Sequence, residues 1–143
     1  MSHLIAPLSS GPRLVPQTPL PGESISSLVD HQAQLWGVSR RELMYQTAST
    51  SGLIAKRDLD ICTDDFLDIY ARKTGINRQA LETHRAESSR SLMFPRLRYA
   101  YCPMCFEEDA SVGCTPYFRL DWARLFLTHC QRHGCPLFRW PPW

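Results

Sequence analysis

Apolar residues recur at helical spacing through the first half of the chain, over residues 23–90. The first stripe has positions three and four residues apart, which is the period of one helix face: Ile25, Leu28, Val29, Leu35 and Trp36. Gly37 is expected to end that helix, because glycine readily takes the left-handed conformation that follows many helices. Ser39 is a good N-cap for a second helix over residues 40–46. The pattern therefore predicts a helical hairpin that turns at Gly37.

The same pattern returns 38 residues later, with five identities in sixteen positions between residues 28–43 and residues 66–81. Each copy has an alanine, a glycine, a β-branched residue, a capping residue and a leucine in the same order: Ala33, Gly37, Val38, Ser39 and Leu43, then Ala71, Gly75, Ile76, Asn77 and Leu81. The alanine lets two helices approach closely, and the glycine permits the tight turn. Two copies are too few for a solenoid, so we expect two related helical hairpins.

Each hairpin has the arrangement of a helix-turn-helix, whose second helix reads DNA. That helix would present Arg40 and Arg41 in the first copy, or Arg78 and Gln79 in the second. An ordinary helical hairpin that packs without contacting DNA has the same pattern, and the pattern leaves both interpretations open. The link over residues 49–60 is expected to be a loop or a short helix.

The N-terminal residues differ from the helical region, because five of the eleven prolines fall within the first 21 residues. Proline fixes its own backbone angle and favours an extended residue before it. We therefore interpret residues 1–22 as an extended arm, with residues 13–16 docked on the body and residues 1–12 as a disordered tail. No apolar run long enough for a signal peptide or a membrane-spanning helix is present.

The C-terminal stretch, residues 94–143, contains eleven of the fifteen aromatic residues and five of the six cysteines. From residue 85 onward, eight arginines face five acidic residues, so an electropositive face is expected in this part. The whole chain has a net charge of only +2, which excludes nucleic-acid binding by bulk charge alone. The predicted organisation is an arm (1–22), a helical region (23–93) and a zinc-binding lobe (94–143).

Two pairs of metal-ligand residues lie in that lobe, Cys102 with Cys105 and Cys130 with His133. Two ligands three positions apart can point into one tetrahedral site from a tight turn or a helix end. Together the pairs form a Cys3His set, which favours one structural zinc ion over buried thiols or disulfides. Four protein ligands leave no position for an activated water, so the site is not expected to be catalytic.

The residues around these pairs lead to further expectations. Cys114 and Cys135 lie close enough in sequence to be substitute ligands, and Cys62 and His31 are expected to be packing or surface residues. A helix capped by Asp121 and closed by Gly134 is predicted to carry one apolar face and the second ligand pair on its last turn: Trp122, Leu125, Phe126, His129, Cys130 and His133. The histidine before the pair is expected in the core or beside a ligand. The acidic run 107–109 is expected to be a solvated turn or a partner contact.

In order along the chain, these features resemble the TniQ family of transposition proteins, which includes the amino-terminal part of TnsD-type target selectors. The resemblance covers residues 14–139. The matching segments are a proline-rich start, the opening of the first helix, both ligand pairs and the residues between them: Pro16–Pro21, Gly22–Leu28, Arg98–Cys105, Glu108–Asp109, Pro116–Tyr117, Arg119, Trp122 and Cys130–Gly134. Many relatives have a second cysteine knuckle and a further helical DNA-binding region, and here only Cys135 and Pro136 lie where that knuckle would begin.

The resemblance implies a non-catalytic adaptor that helps to choose the DNA insertion site. Members work beside an AAA+ ATPase of the TnsC kind and a transposase complex, and in CRISPR-linked transposons they join a guide-RNA effector complex. The expected location is the bacterial cytoplasm, in association with the nucleoid. The expected contact residues for DNA or a partner are arginines and polar or aromatic side chains: Arg40, Arg41, Arg78, Gln79, Arg96, Arg98 and Trp140.

Two other functions remain open from the residues. The first is a helix-turn-helix transcriptional regulator stapled by zinc, which should bind one DNA sequence without partners. The second is a zinc enzyme, which the filled coordination shell disfavours. The predicted fold class is mainly α, with two helix-turn-helix-like hairpins followed by a small zinc-ribbon or knuckle-like lobe.

Overall fold

The computed structural model describes residues 18–48, 59–86 and 99–140. Within these ranges, the helical region contains four α-helices and one 3-10 turn: α1 (Ile25–Trp36), α2 (Arg40–Ala48), the turn Leu59–Ile61, α3 (Asp64–Thr74) and α4 (Arg78–Glu82). The cysteine-rich region contains two short strands, one helix and a second 3-10 turn: β1 (Tyr99–Tyr101), α5 (Pro103–Ser111), the turn Leu120–Ala123 and β2 (Phe138–Trp140). The predicted mainly α fold class is confirmed. The arm over residues 1–17 and the link over residues 49–58 lie outside the described residues.

Both hairpins begin at a capping side chain and turn at the predicted glycine. The side chains of Ser24 and Thr63 each accept a backbone N–H from the first turn of their helix. Gly37 and Gly75 follow the two helices with φ angles of 64° and 79°, in the left-handed region that favours glycine. The predicted caps of α2 and α4 are also confirmed, since the side chains of Ser39 and Asn77 accept backbone N–H groups of those helices.

One hydrophobic core joins the four helices and contains residues from both copies of the repeat. Its buried members are Ile25, Leu28, Val29, Ala33, Leu43, Met44, Phe66, Leu67, Tyr70, Ala71, Ile76 and Leu81. Fully burying one large apolar side chain contributes about 1.5–3 kcal/mol. The two hairpins therefore stabilise one another, and each copy alone would leave its apolar face exposed.

The cysteine-rich region is built around a two-stranded antiparallel sheet in which Tyr101 of β1 pairs with Phe138 of β2. Phe106 of α5 stacks on Tyr101 and meets the ring of Phe118 edge-on. These rings surround a second buried cluster that contains three of the cysteines and a tryptophan: Cys102, Cys105, Cys130 and Trp122. The sheet and α5 thus place the predicted ligands in an aromatic core.

The helix predicted between Asp121 and Gly134 is wrong. In this part of the described chain only the 3-10 turn Leu120–Ala123 forms, and the next residue, Arg124, is extended with ψ 140°. Leu125 and Phe126 are 44% and 91% exposed, so they do not form a buried helix face. The second ligand pair lies beside the first pair, and a continuous helix would not bring them together. The chain after residue 123 is therefore not helical and turns back as a hairpin.

A run of backbone hydrogen bonds connects the helical region to the cysteine-rich region. The N–H of Ser24 donates to the carbonyl of Phe118 over 3.0 Å, and the N–H of Leu120 donates to the carbonyl of Gly22 over 2.8 Å. The N–H of Phe118 also donates to Oγ of Ser27 over 3.1 Å. The start of α1 is therefore paired with the segment that enters the second 3-10 turn.

Candidate metal centre and contact surface

The first ligand pair is held at the start of α5. Cys102 is the N-cap of this helix, and Pro103 occupies its first turn, where a missing N–H costs nothing. The N–H of Cys105 lies 3.5 Å from Sγ of Cys102, so the two sulfurs face the same side. Of the two settings expected for such a pair, a tight turn or a helix end, this pair has the helix end.

The second pair lies on a tight turn rather than on a helix. The N–H of Gly134 donates to the carbonyl of Cys130 over 2.7 Å, and Gly134 has a φ of +67°. The N–H of Cys130 donates to the carbonyl of Cys135 over 2.8 Å, which closes the turn. His129 and Pro136 form an isolated antiparallel bridge beyond it. His129 is exposed, which corrects the expectation that it lies in the core or beside a ligand.

The four predicted ligands converge on one point, and their ligand atoms all lie within 4.8 Å of one another. Nδ1 of His133 is 3.5, 3.3 and 3.6 Å from the sulfurs of Cys102, Cys105 and Cys130, respectively. The sulfurs of Cys105 and Cys130 are 3.7 Å apart. A tetrahedral zinc ion with ordinary bond lengths requires about 3.8 Å between sulfurs and about 3.6 Å between sulfur and nitrogen. The cluster can hold a metal ion, and its donors and spacing fit zinc.

The electrostatics of the cluster also favour a cation at its centre. Burial and the sulfurs of Cys130 and Cys102 raise the pKa of the Cys105 thiol to about 12. Several thiolates in one buried group repel each other, and a divalent cation offsets that repulsion while it takes the thiolates as ligands.

Glu108 orients the histidine ligand from outside the cluster. Its Oε1 lies 2.7 Å from Nε2 of His133, and its Oε2 lies 3.0 Å from the guanidinium of Arg132. The hydrogen bond to His133 lowers the pKa of Glu108, and the charge of Arg132 lowers it further. An Nε2–H that donates to this carboxylate leaves the lone pair of Nδ1 directed at the sulfurs.

The acidic run 107–109 lies within α5, which corrects the expectation of a solvated turn. Asp109 is buried and accepts two hydrogen bonds from Arg119, at 2.6 and 2.8 Å. The same guanidinium lies 3.7 Å above the ring centroid of Tyr117. Sequence analysis missed both structural roles. One signal was available, because Glu108 follows Cys105 by three residues and so lies on the same side of α5.

The other cysteines near the centre lie in different positions. Sγ of Cys114 is 3.4 Å from the carbonyl of Thr115, and Cys114 is outside the four-donor group. Sγ of Cys135 is 3.3 Å from Sγ of Cys102. The two residues expected as substitute ligands thus differ, and only Cys135 touches the cluster.

Arg40 does not face outward as the helix-turn-helix interpretation expects. Its Nε lies 3.1 Å from a carboxylate oxygen of Asp30, and one terminal nitrogen donates to the carbonyl of Ser26 over 3.1 Å. The other terminal nitrogen lies 3.4 Å from the hydroxyl of Tyr99. The side chain therefore holds α2 against α1 and β1, because these acceptors surround its guanidinium.

The other expected contact residues have varied surroundings. Arg78 forms ion pairs with three carboxylates, those of Asp64, Asp68 and Glu82. Gln79 and Arg41 are exposed, and the guanidinium of Arg41 lies 5.8 Å from the ring centroid of Tyr45. The backbone of Trp140 pairs with Tyr99 in the sheet. Arg96 and Arg98 lie outside the described residues.

His31 is buried between the two regions, in agreement with the expected packing role, but its polar contacts were not predicted. Nδ1 of His31 is 2.8 Å from a carboxylate oxygen of Glu23, and its Nε2 is 3.1 Å from the carbonyl of Pro116. Both side chains are buried. No sequence signal identified the contact with Pro116, because the histidine and this carbonyl are 85 residues apart.

Comparison with known proteins identifies the family of the chain. The family model described as TniQ matches residues 14–137, which is most of the sequence. No curated protein shows a significant match. In the described ranges, no helix is long and apolar enough to cross a membrane.

Proposed function

The chain belongs to the TniQ family and is a transposition-associated protein, and from this premise we propose that it is a non-catalytic adaptor. In this proposal it bridges target DNA, or a target-recognition complex, and an AAA+ ATPase of the TnsC kind. The family match over residues 14–137 carries the proposal. A transposase complex then acts at the site so marked, and a guide-RNA effector complex is a further candidate for the recognition partner.

The proposed cofactor is one structural zinc ion held by Cys102, Cys105, Cys130 and His133. The donor distances support it, and so does the carboxylate of Glu108 behind the histidine. Zinc in such a site stabilises the fold, and four protein ligands leave it no open position for substrate or water.

The charges of the described residues support weak DNA binding by the isolated chain. Six arginines in the described ranges form ion pairs with carboxylates of the same chain: Arg40, Arg78, Arg85, Arg119, Arg124 and Arg132. A paired arginine releases fewer counterions from DNA than an unpaired one. Tight binding then requires a second contact, to a partner protein. Once the chain holds one of the two, binding to the other takes place within the same complex and is therefore more favourable.

The exposed start of α2 is the described surface that best fits a nucleic-acid or partner contact. Arg41 and the half-exposed ring of Tyr45 lie side by side there. Arginine forms bidentate and stacking contacts, and an adjacent aromatic ring adds a platform for a base or an apolar side chain. Arg41 therefore receives the proposed contact role, and Arg40 receives a structural one.

The alternative function, a transcriptional regulator that reads DNA with these hairpins, has less support. Such a protein needs a row of exposed side chains on the second helix of a hairpin. In the first copy the guanidinium of Arg40 is engaged inside the protein, and in the second copy three carboxylates surround Arg78. In neither hairpin, therefore, are both of the residues expected to contact DNA free of contacts within the protein.

The test measures binding of the full chain to DNA, to an AAA+ ATPase of the TnsC kind, and to both together. We expect weak DNA binding alone, and tighter binding when the ATPase is present. The variant Arg41→Ala should weaken the complex more than Arg72→Ala, which removes the same charge from an exposed position on α3. Equal losses would mean that only bulk charge matters and that the α2 surface is not the contact.

Two results would count against the adaptor. Tight, sequence-specific binding of the isolated chain at physiological salt, unchanged by the ATPase, would favour the transcriptional regulator. A reaction on DNA that the purified chain performs without partners would contradict the non-catalytic role.

A further inference from the structure

Cys135 lies on a segment that the sheet holds against the first ligand pair. Tyr101 pairs with Phe138, so Cys102, which follows β1, and Leu137, which precedes β2, lie next to the last pair of the sheet. The carbonyl of Cys135 accepts the N–H of Cys130 over 2.8 Å, and the N–H of Leu137 donates to the carbonyl of Thr128 over 2.9 Å. These bonds fix the backbone of Cys135 on both sides, so its position beside the cluster follows from the hairpin.

The sulfur of Cys135 lies 3.3 Å from the sulfur of Cys102. This distance is close to the tetrahedral edge of about 3.8 Å that separates two thiolates on one zinc ion. The sulfur of Cys135 thus lies next to the vertex that Cys102 occupies. Cys102 is fully buried and Cys135 is partly exposed, so the second thiol is more accessible to solvent than the first.

The other ligand thiol of α5 has different neighbours. The sulfur contacts of Cys105 go to members of the four-donor group, with Cys130 at 3.7 Å and Nδ1 of His133 at 3.3 Å. Cys114 is turned towards its neighbouring carbonyl. Among these described thiols, Cys135 therefore lies beside Cys102 in particular, and this asymmetry makes the inference testable.

We propose that Cys135 is a spare ligand that takes the vertex of Cys102 when that thiolate is lost. The inference rests on the zinc site proposed above. The replacement set of Cys105, Cys130, His133 and Cys135 again has three thiolates and one imidazole, so its charge and donor types match the original set. Damage to Cys102 then leaves the ion bound and the cysteine-rich region folded.

The experiment compares four variants of the full chain, purified without chelators: Cys102→Ser, Cys105→Ser, Cys135→Ser and the double variant Cys102→Ser with Cys135→Ser. Zinc per chain and zinc affinity are measured by elemental analysis and by competition with a coloured chelator. Circular dichroism reports the fold in the same samples. Serine is a good N-cap, so Cys102→Ser preserves the start of α5.

We expect wild type, Cys135→Ser and Cys102→Ser to retain one zinc, with a weaker affinity in Cys102→Ser. Cys105→Ser and the double variant should lose it. The zinc dissociation constants of Cys102→Ser and the double variant should differ by at least about tenfold, which corresponds to about 1.4 kcal/mol.

Equal loss of zinc from Cys102→Ser and Cys105→Ser would overturn the inference, and so would an unfolded Cys102→Ser without metal. Retention of zinc in the double variant would overturn it as well, because Cys135 would then not be the replacement. A wild-type chain without zinc is a separate result, and it would refute the metal site itself.

Discussion

At the residue scale, the metal centre depends on a side chain that is not a ligand. Glu108 meets the Nε2 side of His133, while Nδ1 faces the three sulfurs. The carboxylate selects one tautomer of the imidazole and fixes the orientation of the ring. A hydrogen-bonded carboxylate also makes the imidazole a better donor to the metal.

We predict that Glu108→Ala lowers the zinc affinity of the full chain by about 10- to 100-fold, the usual effect of losing such a partner. The zinc affinity of Glu108→Gln should lie between those of Glu108→Ala and wild type, because the amide oxygen of glutamine still accepts a hydrogen bond from Nε2 of His133. The matched control is Glu107→Ala, which removes the neighbouring exposed carboxylate. Competition with a coloured chelator measures all four affinities. If both alanine variants bind zinc as wild type does, Glu108 does not orient the ligand.

His31 is the second residue whose contacts determine its chemistry. Both of its nitrogens face acceptors, a carboxylate oxygen of Glu23 and the carbonyl of Pro116. Only the imidazolium can donate to both at once. Burial by itself lowers the pKa of His31, but the hydrogen bond and charge of Glu23, the carbonyl of Pro116 and the charge of Asp30 together raise it above its ordinary value.

This raised pKa predicts a stability difference that depends on pH. A histidine with a higher pKa in the folded state contributes stability fully below its unfolded pKa of about 6.5 and loses it as the pH rises through the folded pKa. The free energy of unfolding of wild type should therefore exceed that of His31→Gln, and the difference should be largest at pH 6 and smallest at pH 9. Urea unfolding across this range measures the difference. The exposed His129→Gln serves as control, and a His31 difference that grows with pH would contradict the charged pair.

At the scale of elements, the helical hairpins depend on glycines at their turns. Gly37 has a φ of +64°, and a Cβ added there meets nothing within 4 Å. Any penalty for another residue at this position is therefore due to backbone strain and not to a clash. The N–H of Gly37 also donates to the carbonyl of Gln34 over 3.1 Å, which completes the end of α1.

Gly37→Val should lower the free energy of unfolding by about 1–2 kcal/mol, the cost of a left-handed conformation for an ordinary residue. Gly37→Asn should cost less, because asparagine tolerates this conformation. Chemical unfolding followed by helical circular dichroism gives both values. Equal effects of the two substitutions would show that a property other than the φ angle controls this turn.

At the scale of the whole molecule, hydrogen bonds connect the candidate metal centre to the helical core. The segment that carries Phe118 and Leu120 lies between them and pairs with the start of α1. The guanidinium of Arg119 in the same segment holds Asp109 of α5. Loss of the proposed metal would therefore remove support from the helical region as well.

Removal of the proposed zinc by a strong chelator should unfold the cysteine-rich region and lower the thermal midpoint of the helices. Structural zinc contributes about 10 kcal/mol or more of apparent binding energy to small domains. Near-ultraviolet circular dichroism reports the aromatic core around Trp122, and the far-ultraviolet signal reports the helices. The two signals should respond together, and re-addition of zinc should restore both. A helical midpoint that the chelator leaves unchanged would show that the two regions are independent.

Local features of the sequence were sufficient for several conclusions. The helix face, the caps and the glycine turns were predicted because neighbours within about five residues decide them. The four metal donors were predicted because thiol and imidazole at this spacing have a small number of chemical uses. In the same way, the order of motifs indicated the TniQ family, which the family model confirms.

Only the tertiary structure decided which polar groups meet across the chain. The segment after Asp121 has a helical pattern, yet convergence of the second ligand pair on the first turns it into a hairpin. Arg40 has the sequence position of a DNA reader, but acceptors from α1 and β1 enclose its guanidinium. The contacts of Glu108 and Cys135 likewise depend on the sheet register and the hairpin turn. Sequence spacing specifies the conformation of a segment, whereas the partners of a side chain depend on how distant segments pack together.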